Sequence, residues 1–389
     1  MKKSVGIIIG GKTVEHEVSI ITGLQVLDNI DKNLYEPKII YIQKDGKWYC
    51  GESLHDIKNY KAKKFDNAYE VLPGFREGKL ILYPHPEIKQ GFFSKKYDSC
   101  NIDIVFPSVH GTNVEDGALH GMFQMNGVPC AFGSVLSSSL GMDKVIMKKV
   151  FESYNLPVVD YTWFLRSNWE TNKTKIISEI NKIGYPLIVK PANLGSSVGI
   201  SKAKNEEELL NCIEIAMSYD RKIIVEKCIE NVREINCAVM GYENNLSVSS
   251  CEEPVGWKEF LTYEDKYVNK VKDSTSKRKI PADIGEEATK LIQDYAKISF
   301  EAIDCCGNAR IDFLYDGNDI YVNEINTIPG SIAFYLWESC GVSFTSLITR
   351  ILELSELQQN QKNINIYSYD IDLLNKMASN GKSGRAEKI

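Results

Sequence analysis

Arg310-Ile311-Asp312, followed after a short gap by Glu324-Ile325-Asn326-Thr327-Ile328-Pro329-Gly330, is the stretch from which the fold is read. Each triplet alternates polar and apolar residues, as a strand with one buried face does. Alternation puts Arg310 and Asp312 on one face, and Glu324 and Asn326 on one face of the next strand. Two carboxylates, an amide oxygen and a guanidinium then meet at one spot. All-oxygen donors suit Mg²⁺, which keeps waters and bridges substrate phosphates, and Arg310 would steady phosphoryl oxygens beside it. The plainer reading is a solvated sheet face with a salt bridge. The abrupt Thr327–Gly330 turn placed directly after the candidate ligands favours the site.

Upstream, Leu187 to Pro191 reads as a strand whose end carries Lys190-Pro191, and Gly195-Ser196-Ser197-Val198-Gly199 follows. A Gly/Ser loop can aim N–H groups and hydroxyls at phosphate, with Lys190 as a point charge. No Gly-Lys-Ser/Thr follows, so this is not the P-loop. Alone it would be a plain hairpin; beside the metal face it reads as a nucleotide site.

At the other end of the chain, Val5 to Ile9 is an apolar run ended by Gly10-Gly11, with a helix from about Glu17 to Asn29 and a second strand from Lys38 to Ile42. This β-turn-α-β order indicates an open parallel sheet. The spacing G-x-G-x-x-G is absent, which argues against a dinucleotide site. Glu15 lies at the carboxyl end of the first strand, where it would hold a substrate ammonium or merely favour the helix dipole. His110-Gly111 and Glu115-Asp116-Gly117 follow another strand, Ile102 to Phe106, and would wall the same pocket.

Between these landmarks, helices are expected at 117–125, 143–153, 206–217 and 285–303, and strands at 223–226, 234–240, 307–313 and 319–326. Residues 254–280 read as a long loop holding Tyr263, Glu264, Lys266 and Tyr267, and loops of that length are commonly lids. Closure over a reacting phosphate would exclude water. The units expected are 1–136, 137–226, 227–355 with the lid at 254–280, and a polar tail at 356–389 in which Gln358 to Asn363 reads as loop.

A formal net charge of -6 without a long basic block makes the chain a poor candidate for non-specific nucleic-acid binding. The 10 cysteines show no Cys-x-x-Cys or finger spacing and are expected to be reduced. No run approaches the roughly 20 apolar residues of a membrane helix, and the first strand is too short for a signal peptide. A soluble, cytoplasmic protein is expected.

Taken in order, Gly10-Gly11 through Glu15-His16-Glu17-Val18-Ser19, His110-Gly111, Glu115-Asp116-Gly117, Met142-Asp143-Lys144, Lys190-Pro191 with Gly195 to Gly199, Tyr263-Glu264 with Lys266-Tyr267, Arg310-Ile311-Asp312 and Glu324 to Gly330 resemble the D-alanine–D-alanine ligases of the ATP-grasp fold over about residues 4 to 355. The resemblance implies an α/β (in part α+β) architecture: an N-terminal parallel α/β domain and two subdomains that sandwich ATP. It implies ATP-dependent joining of two D-alanines through a D-alanyl phosphate, for peptidoglycan precursors. Lys144, Lys190, Ser197 and Lys266 would hold ATP phosphates, with Glu226, Lys227 and Ile229 at the adenine and Glu234 on the ribose. Asp312, Glu324 and Asn326 would bind two Mg²⁺ (or Mn²⁺). Glu15, Ser196 and Tyr267 would orient the first amino acid, Arg310 and the Gly330 backbone would stabilise the oxyanion, and His110, Tyr335 and Leu336 would contact substrate. Partners would be small molecules, with a homodimer expected by analogy.

Two departures bear on the acceptor. Tyr335 stands where relatives carry a serine that helps bind the second carboxylate, and Leu261-Thr262-Tyr263 replaces an aromatic–Asp–Tyr run. D-Ser or D-lactate is therefore an alternative second substrate; a different dipeptide ligase and a non-catalytic ATP-binding regulator are further alternatives.

Overall fold

The computed structural model describes residues 2–85, 99–254 and 278–368. Lys266, Tyr267 and the rest of the expected lid between 255 and 277 lie outside the described residues.

Three sheets follow one another along the chain. The first contains β1 (Lys3–Gly10), β2 (Tyr35–Ile42), β3 (Trp48–Gly51), β4 (Ala68–Arg76), β5 (Lys79–Pro84), β6 (Cys100–Ile102) and β7 (Ile104–Pro107), in the order β6-β5-β4-β3-β2-β1-β7. Only β2-β1-β7 is parallel; β2 to β6 pair antiparallel. The expected parallel sheet is thus the heart of a mixed one. Residues 48–84 carry aromatic and charged residues without clear alternation, so this antiparallel extension went unread. β1 is buried on both faces from Val5 to Gly10, as a central parallel strand must be. The helix α1 (His16–Asn29) packs so closely on it that a Cβ on Gly23 would lie 2.0 Å from Cγ2 of Ile9. The short helices α2 (Ile57–Ala62) and α3 (Ala118–Met125) complete this unit.

A capping box on Ser134 and Ser137 starts α4 (Val135–Met142), and the Asp143 side chain then caps α5 (Lys144–Ser153). The second sheet, order β10-β9-β11-β8, is formed by β8 (Tyr161–Leu165), β9 (Leu187–Pro191), β10 (Ser201–Ala203) and β11 (Lys222–Lys227). The helices α6 (Arg166–Ile183) and α7 (Glu206–Tyr219) cover one face around Ile180, Leu209, Ile213 and Val225.

The third sheet, order β14-β13-β12-β15-β16, has β12 (Arg233–Tyr242), β13 (Asn245–Pro254), β14 (Arg278–Lys279), β15 (Gly307–Tyr315) and β16 (Ile320–Asn326). Its inner face carries Ile235, Cys237, Val239, Ile311, Phe313 and Val322 against Ile292, Ala296 and Phe300 of α8 (Glu286–Ala302). Each large side chain buried there contributes about 1.5–3 kcal/mol relative to exposure. Since neighbours alternate, burying Ile311 and Phe313 turns Arg310 and Asp312 to the opposite face.

After a short α9 (Phe334–Glu338), α10 (Phe344–Asn363) closes the chain. Leu347, Ile348, Ile351, Leu352 and Leu354 enter the core built around β1 and β7, together with Ala238 and Met240 of the third sheet. Gln358–Asn363, expected as loop, is helix instead, with Gln358 buried and Lys3 paired to Glu356. Its polar sequence is the outer face of a helix whose inner face is already packed. All ten cysteines are free and seven are buried. Among the described residues no helix is long and apolar enough to cross a membrane.

Candidate active site

The three sheets meet at one cleft, lined first by the outer face of β15 and β16. Arg310 stands opposite Asn326, and Asp312 opposite Glu324. The Arg310 guanidinium donates twice to Asp312, from Nε at 2.6 Å and Nη2 at 2.7 Å, and Asn326 Nδ2 donates to the same carboxylate at 3.1 Å. Burial lowers the Arg310 pKa, but Asp312 outweighs it and the group stays charged, well above its ordinary value. The same register extends sideways: Asn236 of β12 is opposite Asp312, and Glu252 of β13 is opposite Asn236. Glu252, Asn236, Asp312 and Glu324 thus form one polar row across four strands. Among the described residues no three His, Cys, Asp or Glu side chains gather as a metal cluster. The candidate set is two carboxylates and an amide, hard oxygen donors that fit Mg²⁺ provided water and phosphate complete the shell.

The wall expected from sequence to take nucleotide is built from lysines. Lys144 Nζ donates to the Leu194 carbonyl at 2.9 Å and lies 3.5 Å from Glu324. Lys190, at the end of β9, lies 2.6 Å from Glu226 Oε2 and donates to Asn323 Oδ1 at 3.3 Å. Glu226 Oε1 is 3.2 Å from Lys148, a fully buried residue that sequence reading passed over. Burial would lift the Glu226 carboxyl, yet the two lysines hold it down to about 2. Burial pulls Lys148 down, whereas at Lys190 the carboxylates prevail over burial and raise it. Glu226, expected at the adenine, therefore turns its carboxylate to the lysines. Lys227 Nζ donates to the Gly184 and Tyr185 carbonyls, Ile229 is half-buried beyond it, and Glu234 acts on Lys190 through space. Ser196 and Ser197 both take left-handed φ, 54° and 58°, in a tight turn closed by the Val198 N–H on the Gly195 carbonyl at 3.3 Å.

The first unit supplies the third wall. Ser196 Oγ donates to Glu15 Oε1, joining the Gly/Ser loop to α1. The backbone closes tightly on that carboxylate: a Cβ on Gly195 or Gly111 would lie 2.7 Å from Glu15 Oε2. Glu115 accepts from the backbone N–H of Gly111 and of Ile328, both at 3.0 Å. Burial and then Glu15 push its carboxyl up to about 8. His110 is buried: Nδ1 donates to the Ile328 carbonyl at 2.9 Å, so Nε2 accepts from Thr22 Oγ1 at 3.0 Å. Desolvation lowers its pKa to about 4. His110, Glu115 and Thr22 thus clasp the Thr327–Gly330 turn, and both ring nitrogens of His110 are engaged there.

Beyond Gly330, Ser331, Ile332 and Ala333 all take left-handed φ, between 51° and 56°. Such backbone costs about 1–2 kcal/mol per non-glycine residue and persists only where neighbours enforce it. Trp337 Nε1 donates to Asn308 Oδ1 at 2.8 Å, Asn308 Nδ2 to the Ile332 carbonyl at 2.9 Å, and Ser331 N–H to Thr22 Oγ1 at 3.2 Å. Tyr335 follows, with the Arg278 guanidinium 3.7 Å above its ring, and Arg278 pairs with Glu252 at 2.9 Å. The Leu336 side chain is fully buried in the core, which leaves its backbone alone to meet a ligand. Lys148, Asn236, Glu252, Arg278 and Asn308 were not singled out from sequence, whereas Glu115, expected to wall the pocket, does stand beside the Thr327–Gly330 turn. Asn236 had a signal, since it breaks the apolar run of β12, and Lys148 lies one helical turn past Lys144.

Two family profiles match, "D-ala D-ala ligase N-terminus" over residues 4–133 and "D-ala D-ala ligase C-terminus" over residues 150–353. A D-alanine–D-alanine ligase of Thermosipho africanus is 41% identical over 374 residues, 95% of this chain and 98% of the relative. One from Clostridium acetobutylicum is 42% identical over 369 residues, 92% of this chain and 100% of the relative. Among solved structures, the D-alanine-D-alanine ligase of Coxiella burnetii superposes with a TM-score of 0.77 at 26% identity, covering 98% and 99% of the two chains. The VanG D-Ala:D-Ser ligase of Enterococcus faecalis does so with 0.76 at 30% identity, covering 91% and 100%. With both profiles, these identities and this ATP-grasp architecture in agreement, the chain belongs to the D-alanine–D-alanine ligase family of enzymes.

Proposed function

We propose that the chain joins two D-alanines at the expense of ATP, making D-Ala–D-Ala for peptidoglycan precursors in the cytoplasm. The observation that carries this reading is the convergence on one cleft of Glu15 with Ser196, Lys144 with Glu324, and Arg310 with Asp312 and Asn326. Each pair draws on different sheets or strands, and a carboxylate-activating ligase needs all three. One holds an ammonium, one holds phosphates, and one holds the charge that builds between them.

A carboxylate does not acylate an amine until it is activated. Transfer of the γ-phosphoryl group from ATP to the first D-alanine gives D-alanyl phosphate and ADP. Attack by the second amine then gives the dipeptide and phosphate. Glu15, steadied by Ser196, would hold the first ammonium; Lys144 and Lys190 would draw the phosphates into line. Arg310 and the Gly330 backbone would stabilise the oxyanion of the tetrahedral intermediate. Asp312, Glu324 and Asn326 would hold two Mg²⁺ or Mn²⁺, which when bound supply charge neutralisation at the transferred phosphoryl group. No enzyme nucleophile is required. Ser197, Lys227, Ile229, Glu234 and Lys266 are assigned to ATP on the same reading, and Tyr267 to closing the donor pocket. The homodimer through the first unit belongs to the same proposal.

A mixed product is the second reading, with D-serine or D-lactate as acceptor. Tyr335 and its stacked Arg278 at the expected acceptor carboxylate favour it. Phosphate release is measured with ATP, Mg²⁺ and D-alanine alone, with D-alanine plus D-serine, with D-alanine plus D-lactate, and with L-alanine, the product being identified by mass. Release with D-alanine alone is expected. Release only with a mixed pair keeps the chemistry and changes the acceptor; no stimulation by any D-amino acid overturns the proposal.

A further inference from the structure

Three lysines and two carboxylates share the nucleotide wall, and one lysine is surplus to simple pairing. Glu226 is 2% exposed and touches two ammonium groups, Lys190 at 2.6 Å and Lys148 at 3.2 Å. One would suffice to neutralise it. The two differ in setting. Lys190, near the end of β9, is buried but keeps a side chain 10% exposed and reaches a second acceptor, Asn323. Lys148 is wholly enclosed, and Glu226 is its one anionic partner among the described residues. Lys148 also follows Lys144 by one turn of α5, so both point into the same wall.

We propose that Lys148 is the resident counter-ion of Glu226, a positioning residue that frees Lys190 to leave the carboxylate for the phosphates of ATP. This rests on the reading above that Lys190 binds those phosphates. A lysine that is the only partner of a buried carboxylate cannot move away without stranding a bare charge, and buried bare charges are strongly disfavoured. With Lys148 in place, Glu226 stays compensated whichever way Lys190 points. Glu226 in turn keeps Lys190 ordered until nucleotide arrives. Lys148 itself touches no substrate.

The test compares ATP, ADP and adenosine binding by titration calorimetry, without amino acids, in the parent and in Lys148→Met, Lys148→Arg, Lys190→Met and Lys148→Met/Glu226→Gln. Lys148→Met is expected to weaken ATP and ADP about tenfold by locking Lys190 onto Glu226, while adenosine, which lacks phosphate, changes by less than about twofold. The double variant, with no carboxylate to hold Lys190, is expected to recover ATP binding to within about threefold of the parent. Lys148→Arg keeps the charge and is expected to bind as the parent does. Steady-state assays are expected to show KM for ATP raised in Lys148→Met and KM for D-alanine unchanged. Parent-like ATP binding by Lys148→Met overturns the proposal, as does equal weakening of adenosine or a double variant no better than the single one. Should Lys148→Met not fold, Lys148→Gln takes its place with the same expectation, ATP and ADP weakened about tenfold and adenosine by less than about twofold. Lys190→Met separates the two levels. If it binds ATP as the parent does, the phosphate role of Lys190 fails; if it alone is weakened, only the role of Lys148 fails.

Discussion

On the nucleotide side of the cleft, position is held by charge: Lys144, Lys148 and Lys190 stand on regular helix and strand, facing Glu226 and Glu324. On the acceptor side, position is held by backbone: Ser331, Ile332 and Ala333 lie in left-handed conformation, pinned by Asn308, Trp337 and Thr22. The first arrangement depends on residue type at a few points, since phosphate asks for cations wherever it binds. The second depends on shape, and shape is transmitted by groups that never meet the ligand. Tyr335, read from sequence as a departure from relatives, lies on this second side with the Arg278 guanidinium over its ring.

The comparison breaks most visibly at Asp312. Asp312→Asn removes charge from the phosphate-facing wall while leaving a hydrogen-bonding group of similar shape. Turnover is expected to fall by about 10²–10³-fold, the usual loss for one electrostatic group. Steady-state assays beside ATP calorimetry check it, binding being affected less than turnover because Lys144 and Lys190 remain. A fall in ATP binding as large as the fall in turnover would make Asp312 a general anchor of the site.

A smaller effect, confined to the other side, is expected from Asn308→Ala. It frees the Ile332 carbonyl and the Trp337 N–H, at about 1–3 kcal/mol for groups left buried without partners, and the left-handed turn is expected to relax. KM for the acceptor should then rise about tenfold with KM for ATP within about twofold. Equal rises in both would mean that the two sides are not separable.

The smallest effect is one of pH. The folded His110 ring stays neutral down to about 4, while in the unfolded chain it takes a proton near the ordinary 6.5. Its contribution is complete above that value and is lost as pH falls from 6.5 towards 4, with a slope of up to about 1.4 kcal/mol per unit. Urea unfolding at pH 7 and pH 5 is expected to show a shallower loss in His110→Gln than in the parent. His120, which burial also lowers to about 4, titrates in both proteins and cancels. Identical slopes would remove His110 from the clasp on the acceptor turn.

The sites that could be read in advance are those where polar residues interrupt an apolar period. Arg310, Asp312, Glu324 and Asn326 did so in two short strands, and the structure sets them face to face. Lys190 and the Gly/Ser loop stood out in the same way, and Ser196 does reach Glu15. Lys148 did not, because a lysine in a helix between other lysines looks like a solvated face; its burial arises from β11 lying across it, a contact about 80 residues away in sequence. The left-handed Ser331–Ala333 turn was equally hidden, since nothing in Ser-Ile-Ala asks for positive φ and the bonds that hold it come from distant Asn308 and Thr22 and from Pro329. The antiparallel β3–β6 extension lacked alternation, and the outer turns of α10 were too polar to read as helix beyond Ser355.

That last helix has a bearing on how the protein is made. Leu347, Ile351 and Leu352 fill the same core as Ile8, Phe106 and Val26, so the earliest part of the chain is sealed by one of its latest. A ribosome releases the sequence from the amino end, and units that are self-contained fold as they emerge. The first unit here must instead wait, one apolar flank open, through the synthesis of some two hundred further residues. A chain cut short before α10 would hold most of the cleft residues and yet leave that apolar flank open to solvent, chaperone or protease.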